Sequence, residues 1–364
     1  MGLEEAYEAT LRGIDGRELI EVDNTGKVVR KLGQTDPFLG KDLNTTLDLS
    51  LQRVTFSAMK NIEKGAVVIS SPTGEILTLL SKPSFDPNLF TLPLVLQDRS
   101  DDYQSVYSIL SDFKNQPLLN RAISGTYAPG STFKLIVAAS GLENNIIDEG
   151  FTVSDTGVIT VGAFSFSNWY FTQYGKTEGN VDIVKGIKRS NDIFFYKLAE
   201  KIGVDGISNF ASKFGLGDTL NLDLPGEEKG IVPTPSWKEK TIGEPWYLGD
   251  TYHYGIGQGY VLVTPIQMNA WTQVIANGGT LYQPRLVQNQ KSKIKNQKFL
   301  SEKTINLIRE GMTQSCSPGG VAWPLFQFKI QNSKIKIEGK NFMEVPEATV
   351  SANLKDYREV SIAC

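Results

Sequence analysis

Histidine and cysteine are scarce in this chain, and their scarcity limits the chemistry it can carry. Among 364 residues there are one histidine, His253, and two cysteines, Cys316 and Cys364. A Ser-His-Asp triad would have to use His253, yet a single loop histidine between tyrosines is more often structural or solvent-facing. One histidine and two distant cysteines support neither a metal site nor a disulfide framework. The composition therefore argues against triad, zinc and disulfide chemistry.

The chain also lacks a charge excess and a long apolar run. Its 37 Lys and Arg residues nearly balance 40 Asp and Glu residues, so the net charge is -3 and the pI about 5.5, which argues against nucleic-acid binding. No stretch approaches the ~18 apolar residues of a membrane-spanning helix. The opening Met1-Gly2-Leu3-Glu4-Glu5 lacks the basic region and apolar core of a signal peptide. We therefore expect a soluble protein, or one whose N-terminal anchor lies outside this chain.

Two unequal parts are predicted from the pattern of apolar residues. Residues 1–40 contain a short helix and two alternating segments, too little to fold independently, and are predicted to be the remnant of a preceding domain. Residues 41–364 form the second part. It opens with a helix around 47–62 and a strand-turn-strand segment around Ser71-Pro72-Thr73-Gly74, continues mostly helical, and ends in an alternating strand near Ile335 and Ile337. Strands at both ends with helices between them predict an α+β domain.

Ser131-Thr132-Phe133-Lys134 is the candidate for nucleophilic chemistry. Ser-x-x-Lys occurs five times, and the other copies begin at Ser57, Ser111, Ser292 and Ser333, so the tetrad alone has little specificity. Ser131 differs because a Pro-Gly turn precedes it and an apolar run follows Lys134, which predicts the first turn of a buried helix. At ~100° per residue, Lys134 returns to nearly the same helix face as Ser131. A lysine with a pKa lowered by burial can activate a serine hydroxyl, whereas the simpler alternative is a capping serine and a surface lysine.

Ser190-Asn191-Asp192 is the second candidate segment. A second hydroxyl at Ser190 can relay a proton between the lysine and a leaving group, and Asp192 offers an acceptor for substrate amides. The alternative is a helix cap formed by Ser190 or Asp192. Further along, Gly255-Ile256-Gly257-Gln258-Gly259 lacks the Lys-Ser/Thr of a phosphate-binding loop and is interpreted as a tight backbone segment lining the site.

Several blocks, in order along nearly the whole chain, resemble the transpeptidase region of class B penicillin-binding proteins, in particular the elongation-type penicillin-binding protein 2. The resemblance rests on the following segments: Gly65-Ala66-Val67-Val68, Ser84-Phe85-Asp86-Pro87-Asn88, Asn120-Arg121-Ala122, Tyr127 to Lys134, Ser190 to Tyr196, Gly255 to Gly259, and Thr264-Pro265-Ile266-Gln267-Met268. It implies the α+β penicillin-binding protein and serine β-lactamase-like fold, an antiparallel sheet flanked by helices, after an N-terminal pedestal domain.

The resemblance also implies a reaction, D,D-transpeptidation of peptidoglycan through a serine acyl-enzyme, and a set of site residues. By this reading Ser131 is the nucleophile, Lys134 the general base, Ser190 the proton relay and Asp192 a substrate acceptor, with Lys340 as a cation near the substrate carboxylate. No metal or organic cofactor is expected. The implied ligands are stem peptides of peptidoglycan and its lipid-linked precursors, with β-lactams acylating the same serine. A membrane glycosyltransferase is the implied partner, and the implied location is the outer face of the bacterial cytoplasmic membrane.

The third motif of the family, Lys-Thr/Ser-Gly, is where this sequence departs from the pattern. The expected position reads Gly339-Lys340-Asn341-Phe342, and no Lys-Thr-Gly or Lys-Ser-Gly occurs elsewhere. A phenylalanine in place of glycine puts a large side chain where substrate backbone should approach. With the early end at Cys364, this predicts a transpeptidase domain without its last strands and helix. It also leaves open a second interpretation, a catalytically impaired scaffold of the cell-wall elongation machinery. A β-lactam-hydrolysing relative is disfavoured, because no deacylating base is identifiable.

Overall fold

The computed structural model describes residues 2–90, 103–288 and 298–322, together with the backbone of two short strands at 336–337 and 340–341. The helices, in chain order, are α1 (Leu3–Ala6), α2 (Glu8–Leu11), α3 (Leu49–Ala58), α4 (Val106–Ser111), α5 (Lys134–Glu143), α6 (Trp169–Tyr174), α7 (Ile183–Lys188), α8 (Asp192–Lys213), α9 (Pro235–Ile242), α10 (Leu248–Gly255), α11 (Pro265–Ala276) and α12 (Glu302–Ser315). The strands are β1 (Arg17–Val22), β2 (Val28–Thr35), β3 (Gly65–Ser70), β4 (Ile76–Lys82), β5 (Val153–Asp155), β6 (Val158–Val161), β7 (Phe164–Ser167), β8 (Gly179–Val181), β9 (Lys336–Ile337) and β10 (Lys340–Asn341).

The N-terminal segment contains two short helices, where the sequence predicted one, and an antiparallel hairpin formed by the two alternating segments. Strands β1 and β2 pair from Arg17 opposite Thr35 to Val22 opposite Val28. Every residue of β2 is exposed, so the hairpin contributes little to the core. Tyr7, between α1 and α2, reaches the second part of the chain, where its hydroxyl donates to Asp223 Oδ2 at 3.1 Å.

Strands β3 and β4 form the second hairpin and begin the main α+β unit. They pair antiparallel around the turn that the sequence predicted at Ser71-Pro72-Thr73-Gly74. Helix α3 packs on β4 and α11 packs on β3, so helices cover this hairpin. The side chains of β4 alternate between buried and half-buried, which is the period-2 pattern of a strand with one face on the core. A parallel bridge between Glu75 and Arg285 extends the hairpin edge.

The helical middle of the chain supplies the core against which the candidate site is built. Helix α5 packs on α8, and α8 in turn packs on α10. Every residue of α5 from Lys134 to Gly141 is buried, because its apolar residues surround the helix rather than lining one face. At this central position even Lys134 is only 2% exposed.

The α+β prediction is confirmed, with its strands joined in antiparallel pairs within the described residues. The strand predicted near Ile335 and Ile337 is present at its second half, where β9 pairs antiparallel with β10. Within the same described residues, no helix combines the length and the apolar character needed to cross a membrane.

Candidate active site

Ser131 lies on a 3₁₀ turn, Gly130–Phe133, that leads directly into α5. Gly130 has φ +58°, a left-handed conformation that glycine adopts without steric cost, and its N–H donates to the Gly257 carbonyl at 2.9 Å. The Thr132 hydroxyl donates to the Pro129 carbonyl at 2.7 Å and closes the turn. The sequence prediction of a Pro-Gly turn entering a buried helix is therefore correct. The turn holds Ser131 exposed at the mouth of the helix.

The glycine-rich segment after α10 lies directly against this turn, as predicted. A Cβ atom placed on Gly257 would come within 2.1 Å of the Gly130 carbonyl oxygen and 2.7 Å of Phe133 Cβ. No side chain fits there, and the φ of +71° at Gly257 is itself unfavourable for other residues. Gly257 therefore allows the two backbones to touch.

Lys134 is the centre of the site, buried among acceptors from a distant part of the chain. Its Nζ donates to Asp192 Oδ1 at 2.7 Å, to the Ser190 carbonyl at 2.8 Å and to Ser190 Oγ at 2.9 Å. These three acceptors match the three N–H bonds of an ammonium group. Burial lowers the pKa of the Lys134 ammonium below its ordinary value, and the Asp192 carboxylate opposes part of that shift. Loss of one proton thus becomes easier, which is what a general base requires.

The segment Ser190-Asn191-Asp192 reaches Lys134 because it makes the turn that opens α8. Ser190 has φ +48°, in the left-handed region that non-glycine residues seldom adopt. The capping residue is Asn191, whose Oδ1 accepts from the Phe194 N–H at 2.8 Å. The sequence placed the cap on Ser190 or Asp192 as its simpler alternative, and that assignment was wrong by one residue. Both of those residues instead point to Lys134.

Asp192 uses both carboxylate oxygens within the protein. Oδ1 accepts from Lys134, and Oδ2 accepts from the Trp169 N–H at 3.0 Å. Asp192 also lines a cavity of about 620 Å³ together with Trp169, His253 and Gln258. His253, the single histidine, therefore lies in the wall of the same cavity, and its ring is 5.5 Å from that of Phe166.

The structure brings three of the five predicted site residues together, namely Lys134, Ser190 and Asp192. Ser131 precedes Lys134 by three residues, but within the described part of the chain its hydroxyl makes no hydrogen bond. Lys340 begins strand β10, and its side chain lies outside the described residues. Of the other four Ser-x-x-Lys segments, Ser57 is exposed on α3, Ser111 is exposed at the end of α4, and Ser292 and Ser333 lie outside the described residues.

Sequence reasoning missed Asp155 and Asn168, which contact the Ser190-Asn191-Asp192 segment from β5 and from the start of α6. A local signal for Asp155 exists, because Asp-x-Gly is a turn pattern in which the carboxylate accepts from the backbone two residues on. Here Asp155 Oδ1 accepts from the Gly157 N–H at 2.8 Å. No sequence signal connects that turn to residues 190–192. Among the residues the structure describes, no group of three or more His, Cys, Asp and Glu side chains is placed to hold a metal ion.

Comparison with known proteins places this chain in a family. Residues 64–340 match the penicillin-binding protein transpeptidase domain, and residues 1–45 match the penicillin-binding protein dimerisation domain. The chain is 38% identical over 292 residues to the peptidoglycan D,D-transpeptidase MrdA of Escherichia coli K12, an alignment that covers 79% of this chain and 44% of that protein.

Solved structures give the same result. The complex between the penicillin-binding protein PBP2 and MreC from Helicobacter pylori has a TM-score of 0.76 and 31% identity, covering 89% of this chain and 58% of that one. A structure titled as structural coordination of polymerization and crosslinking by a peptidoglycan synthase complex has a TM-score of 0.72 and 32% identity, covering 90% of this chain and 58% of that one. The chain spans less than half the length of the curated relative. With these matches, the chain belongs to the penicillin-binding protein transpeptidase family and has its α+β fold.

Proposed function

We propose that this chain carries the D,D-transpeptidase reaction of peptidoglycan cross-linking, with Ser131 as the residue that becomes acylated. The observation that supports this most directly is the position of Lys134, which begins α5 directly after the turn that carries Ser131 and whose Nζ lies 2.9 Å from Ser190 Oγ. A buried amine with a lowered pKa, bonded to one serine hydroxyl and three residues along the chain from a second serine, is an arrangement that can serve serine acyl transfer. Membership of the transpeptidase family supports the same chemistry.

In the proposed reaction Ser131 Oγ attacks the carbonyl carbon of a D-alanyl-D-alanine end. Lys134 in its neutral form takes the hydroxyl proton, and Ser190 passes a proton to the leaving nitrogen. The C–O bond of the acyl-enzyme forms, the C–N bond breaks, and D-alanine leaves. The amine of a neighbouring strand then attacks the ester, which restores the Ser131 hydroxyl and forms the cross-link. β-Lactams acylate the same hydroxyl because their strained amide mimics the peptide.

Ser131 has to turn toward Lys134 for this step, and its environment permits that. The side chain is exposed, and its oxygen moves by rotation about the single χ1 bond. Hydrogen bonds between catalytic groups are often long in proteins without substrate and tighten when substrate binds. The unpartnered hydroxyl is therefore compatible with the proposed role.

Asp192 and Lys340 complete the proposed set. As a substrate acceptor, Asp192 would use its remaining lone pairs, because a carboxylate has about four acceptor sites and two are taken by Lys134 and the Trp169 N–H. Lys340 would place its cation near the substrate carboxylate. The proposed partner is a membrane glycosyltransferase, and the proposed location of the catalytic domain is the cell-wall side of the cytoplasmic membrane. The similarity to a peptidoglycan synthase complex that coordinates polymerization and crosslinking supports such an assembly. The similarity to a PBP2–MreC complex supports only the more general proposal that the chain binds partner proteins.

A second candidate function, a scaffold without turnover, is favoured by one observation. The sequence Lys340-Asn341-Phe342 lacks the hydroxyl and the glycine that the family has after this lysine. In the family a backbone N–H just beyond that glycine completes the oxyanion hole, and losing one such donor costs about 10²–10³ in rate. A scaffold would keep the fold and the partner contacts but would not be acylated.

Covalent labelling of the full chain with a fluorescent penicillin separates these functions. The transpeptidase proposal expects a stable label that disappears in Ser131→Ala and persists in Ser57→Ala. Ser57 also begins a Ser-x-x-Lys segment, but it lies exposed on α3, so it is a matched control. A folded protein that takes no label supports the scaffold, and a label that turns over rapidly indicates hydrolysis.

The double substitution Asn341→Thr with Phe342→Gly tests the importance of the altered third motif. If substrate backbone approaches this strand, restoring the hydroxyl and the glycine raises the labelling rate. An unchanged rate would show that residues 340–342 do not occupy the position assigned to them.

A further inference from the structure

A buried hydrogen-bond cluster lies behind Ser190 and Asp192 and consists of Asp155, Asn168 and Asn191. Asp155 is 4% exposed, and Asn168 and Asn191 are fully buried. Asp155 Oδ2 accepts from Asn168 Nδ2 at 2.8 Å and from Asn191 Nδ2 at 2.9 Å. The same oxygen accepts from the Glu178 N–H at 3.0 Å, and Oδ1 accepts from the Gly157 N–H at 2.8 Å. The carboxylate therefore joins three separate segments of the chain.

Each of the two amides connects Asp155 to the backbone at the start of α8. Asn191 Oδ1 accepts from the Phe194 N–H at 2.8 Å and caps α8. Asn168 Oδ1 accepts from the Asp192 N–H at 3.3 Å. An ionised carboxylate only accepts hydrogen bonds, so both amides must turn their NH₂ groups toward it and their oxygens toward the backbone of α8. Asp155 thus determines which way both amides face.

The alignment of Lys134 depends on this backbone. Lys134 Nζ donates to the Ser190 carbonyl and to Asp192 Oδ1, which flank Asn191 on either side. Ser190 also holds a left-handed φ of +48°, which persists only where surrounding contacts fix it. Asp192 Oδ2 accepts from the N–H of Trp169, the residue after Asn168. The cluster therefore contacts this segment at Asn191, which lies between the two residues that accept from Lys134, and at the Asp192 N–H.

We propose that Asp155 is a positioning residue, which orients Asn168 and Asn191 so that Ser190 and Asp192 meet Lys134 correctly. This inference rests on the proposed function, since it concerns the alignment of the same site. Asp155 does not touch the reacting atoms. Its effect is on the rate of the acylation step and not on the initial non-covalent binding of the penicillin.

The test compares Asp155→Ala with Asp223→Ala in the full chain. Asp223 is a matched control because it is also a buried carboxylate, which accepts from the N–H groups of Leu286 and Val287 and from the Tyr7 hydroxyl, away from the site. The rate constant of acylation and the preceding binding constant are measured with a fluorescent penicillin at a temperature where each variant is folded. We expect Asp155→Ala to lower the acylation rate constant on the order of 10- to 100-fold without weakening binding, because small displacements of catalytic groups have effects of this size. Asp223→Ala should leave the rate within about twofold of the original, because it contacts nothing at the site.

Two conservative variants keep the test decisive if Asp155→Ala does not fold. Asp155→Asn can still direct its one oxygen at both amides, but it turns its NH₂ toward the Gly157 N–H, so it should restore part of the rate lost in Asp155→Ala. Asn191→Ser retains a capping oxygen for the Phe194 N–H but has no amide to reach Asp155, so it should lower the acylation rate constant by about 3- to 10-fold, less than Asp155→Ala. Equal losses in Asp155→Ala and Asp223→Ala, or a loss confined to binding, would overturn the proposal. If Asp155→Ala is unfolded, an unchanged acylation rate constant in Asn191→Ser overturns the proposal.

Hydrogen exchange distinguishes failure of this inference from failure of the proposed function. Backbone amides of residues 190–195 should exchange faster in Asp155→Ala or Asn191→Ser than in the original chain, and should be unchanged in Asp223→Ala. This measurement needs no acylation. If the original chain takes no penicillin label, the proposed transpeptidase function fails. The exchange result then decides alone whether Asp155 positions this segment.

Discussion

The two segments that meet at Lys134 are held in opposite ways. Ser131 is exposed on a short 3₁₀ turn, and its hydroxyl makes no hydrogen bond to any described residue. Ser190 is buried, and both its carbonyl and its hydroxyl accept from Lys134. The difference indicates that Lys134, the proposed base, and its acceptors are fixed before substrate binds, whereas the Ser131 hydroxyl, the proposed nucleophile, is left free to rotate. Pre-organised polar groups of this kind need little rearrangement during the reaction.

The sequence explains why the segments differ. The first is a Pro-Gly turn whose remaining bonds are local or go to the backbone of Gly257. The second relies on partners far away in the chain, from β5, α5 and the start of α6. Strain at the Ser190 backbone costs on the order of 1 kcal/mol and is offset by those partners. The variants below test this contrast.

The largest effect is expected from Lys134→Met, which removes the proposed base and keeps the length of the side chain. General-base catalysis contributes about 10²–10⁴ in rate, so penicillin labelling should slow by a factor in that range. Asp192 also loses its cation, and breaking a buried ion pair costs about 3–5 kcal/mol, so thermal unfolding should occur at a lower temperature. Lys60→Met, in the exposed Ser57 segment, is the control. Labelling within a few-fold of the original would remove Lys134 from the mechanism.

The next effect concerns the contact between the Ser131 turn and the glycine-rich segment. In Gly257→Ala the new methyl group meets the Gly130 carbonyl at 2.1 Å. We expect a shifted turn, slower labelling and a loss of stability of about 2–5 kcal/mol, the sum of left-handed strain and overpacking. Gly278→Ala has a similar positive φ of +88° and open space around the site of its Cβ, so it measures the strain alone. Equal losses of stability and rate in both variants would show that the close approach at Gly257 is unimportant.

A smaller effect is expected on the pH dependence in Asp192→Asn. Asp192 favours the charged form of Lys134, while burial disfavours it, so removing the carboxylate charge lowers the Lys134 pKa further. In the proposed mechanism the neutral amine is the active form, so the acidic limb of the pH profile of labelling should move to lower pH. The labelling rate measured across pH checks this, with Asp223→Asn as the control whose limb stays in place. A limb that moves to higher pH contradicts the ion pair as the cause.

The sequence predicts the Ser131 turn better than it predicts the surroundings of Ser190. The Ser131 turn is encoded locally, because Pro129, Gly130 and the apolar run after Lys134 indicate a loop that enters a buried helix. Helix α3 and the β3–β4 hairpin were predictable for the same reason, from spacing within one short stretch. The surroundings of Ser190 were not. The bonds from Asn191 and Asn168 to Asp155 join residues 36 and 13 positions apart, and no period or motif in the sequence connects them.

The smallest effect is expected in Thr132→Val. This variant tests whether the Ser131 turn is held by as few contacts as the structure indicates. The substitution keeps the shape of the side chain and removes the hydrogen bond to the Pro129 carbonyl. A single such bond contributes about 0.5–1.5 kcal/mol, and this one is partly exposed, so we expect a stability loss at the low end of that range. Labelling should stay within a few-fold of the original, since Gly130 still bonds to Gly257. Thr132→Ser, which retains the hydroxyl, is the control for the measured unfolding free energies. If Thr132→Val slows labelling as much as Gly257→Ala does, the orientation of Ser131 depends on a fixed turn. The Ser131 and Ser190 segments would then differ in burial but not in rigidity.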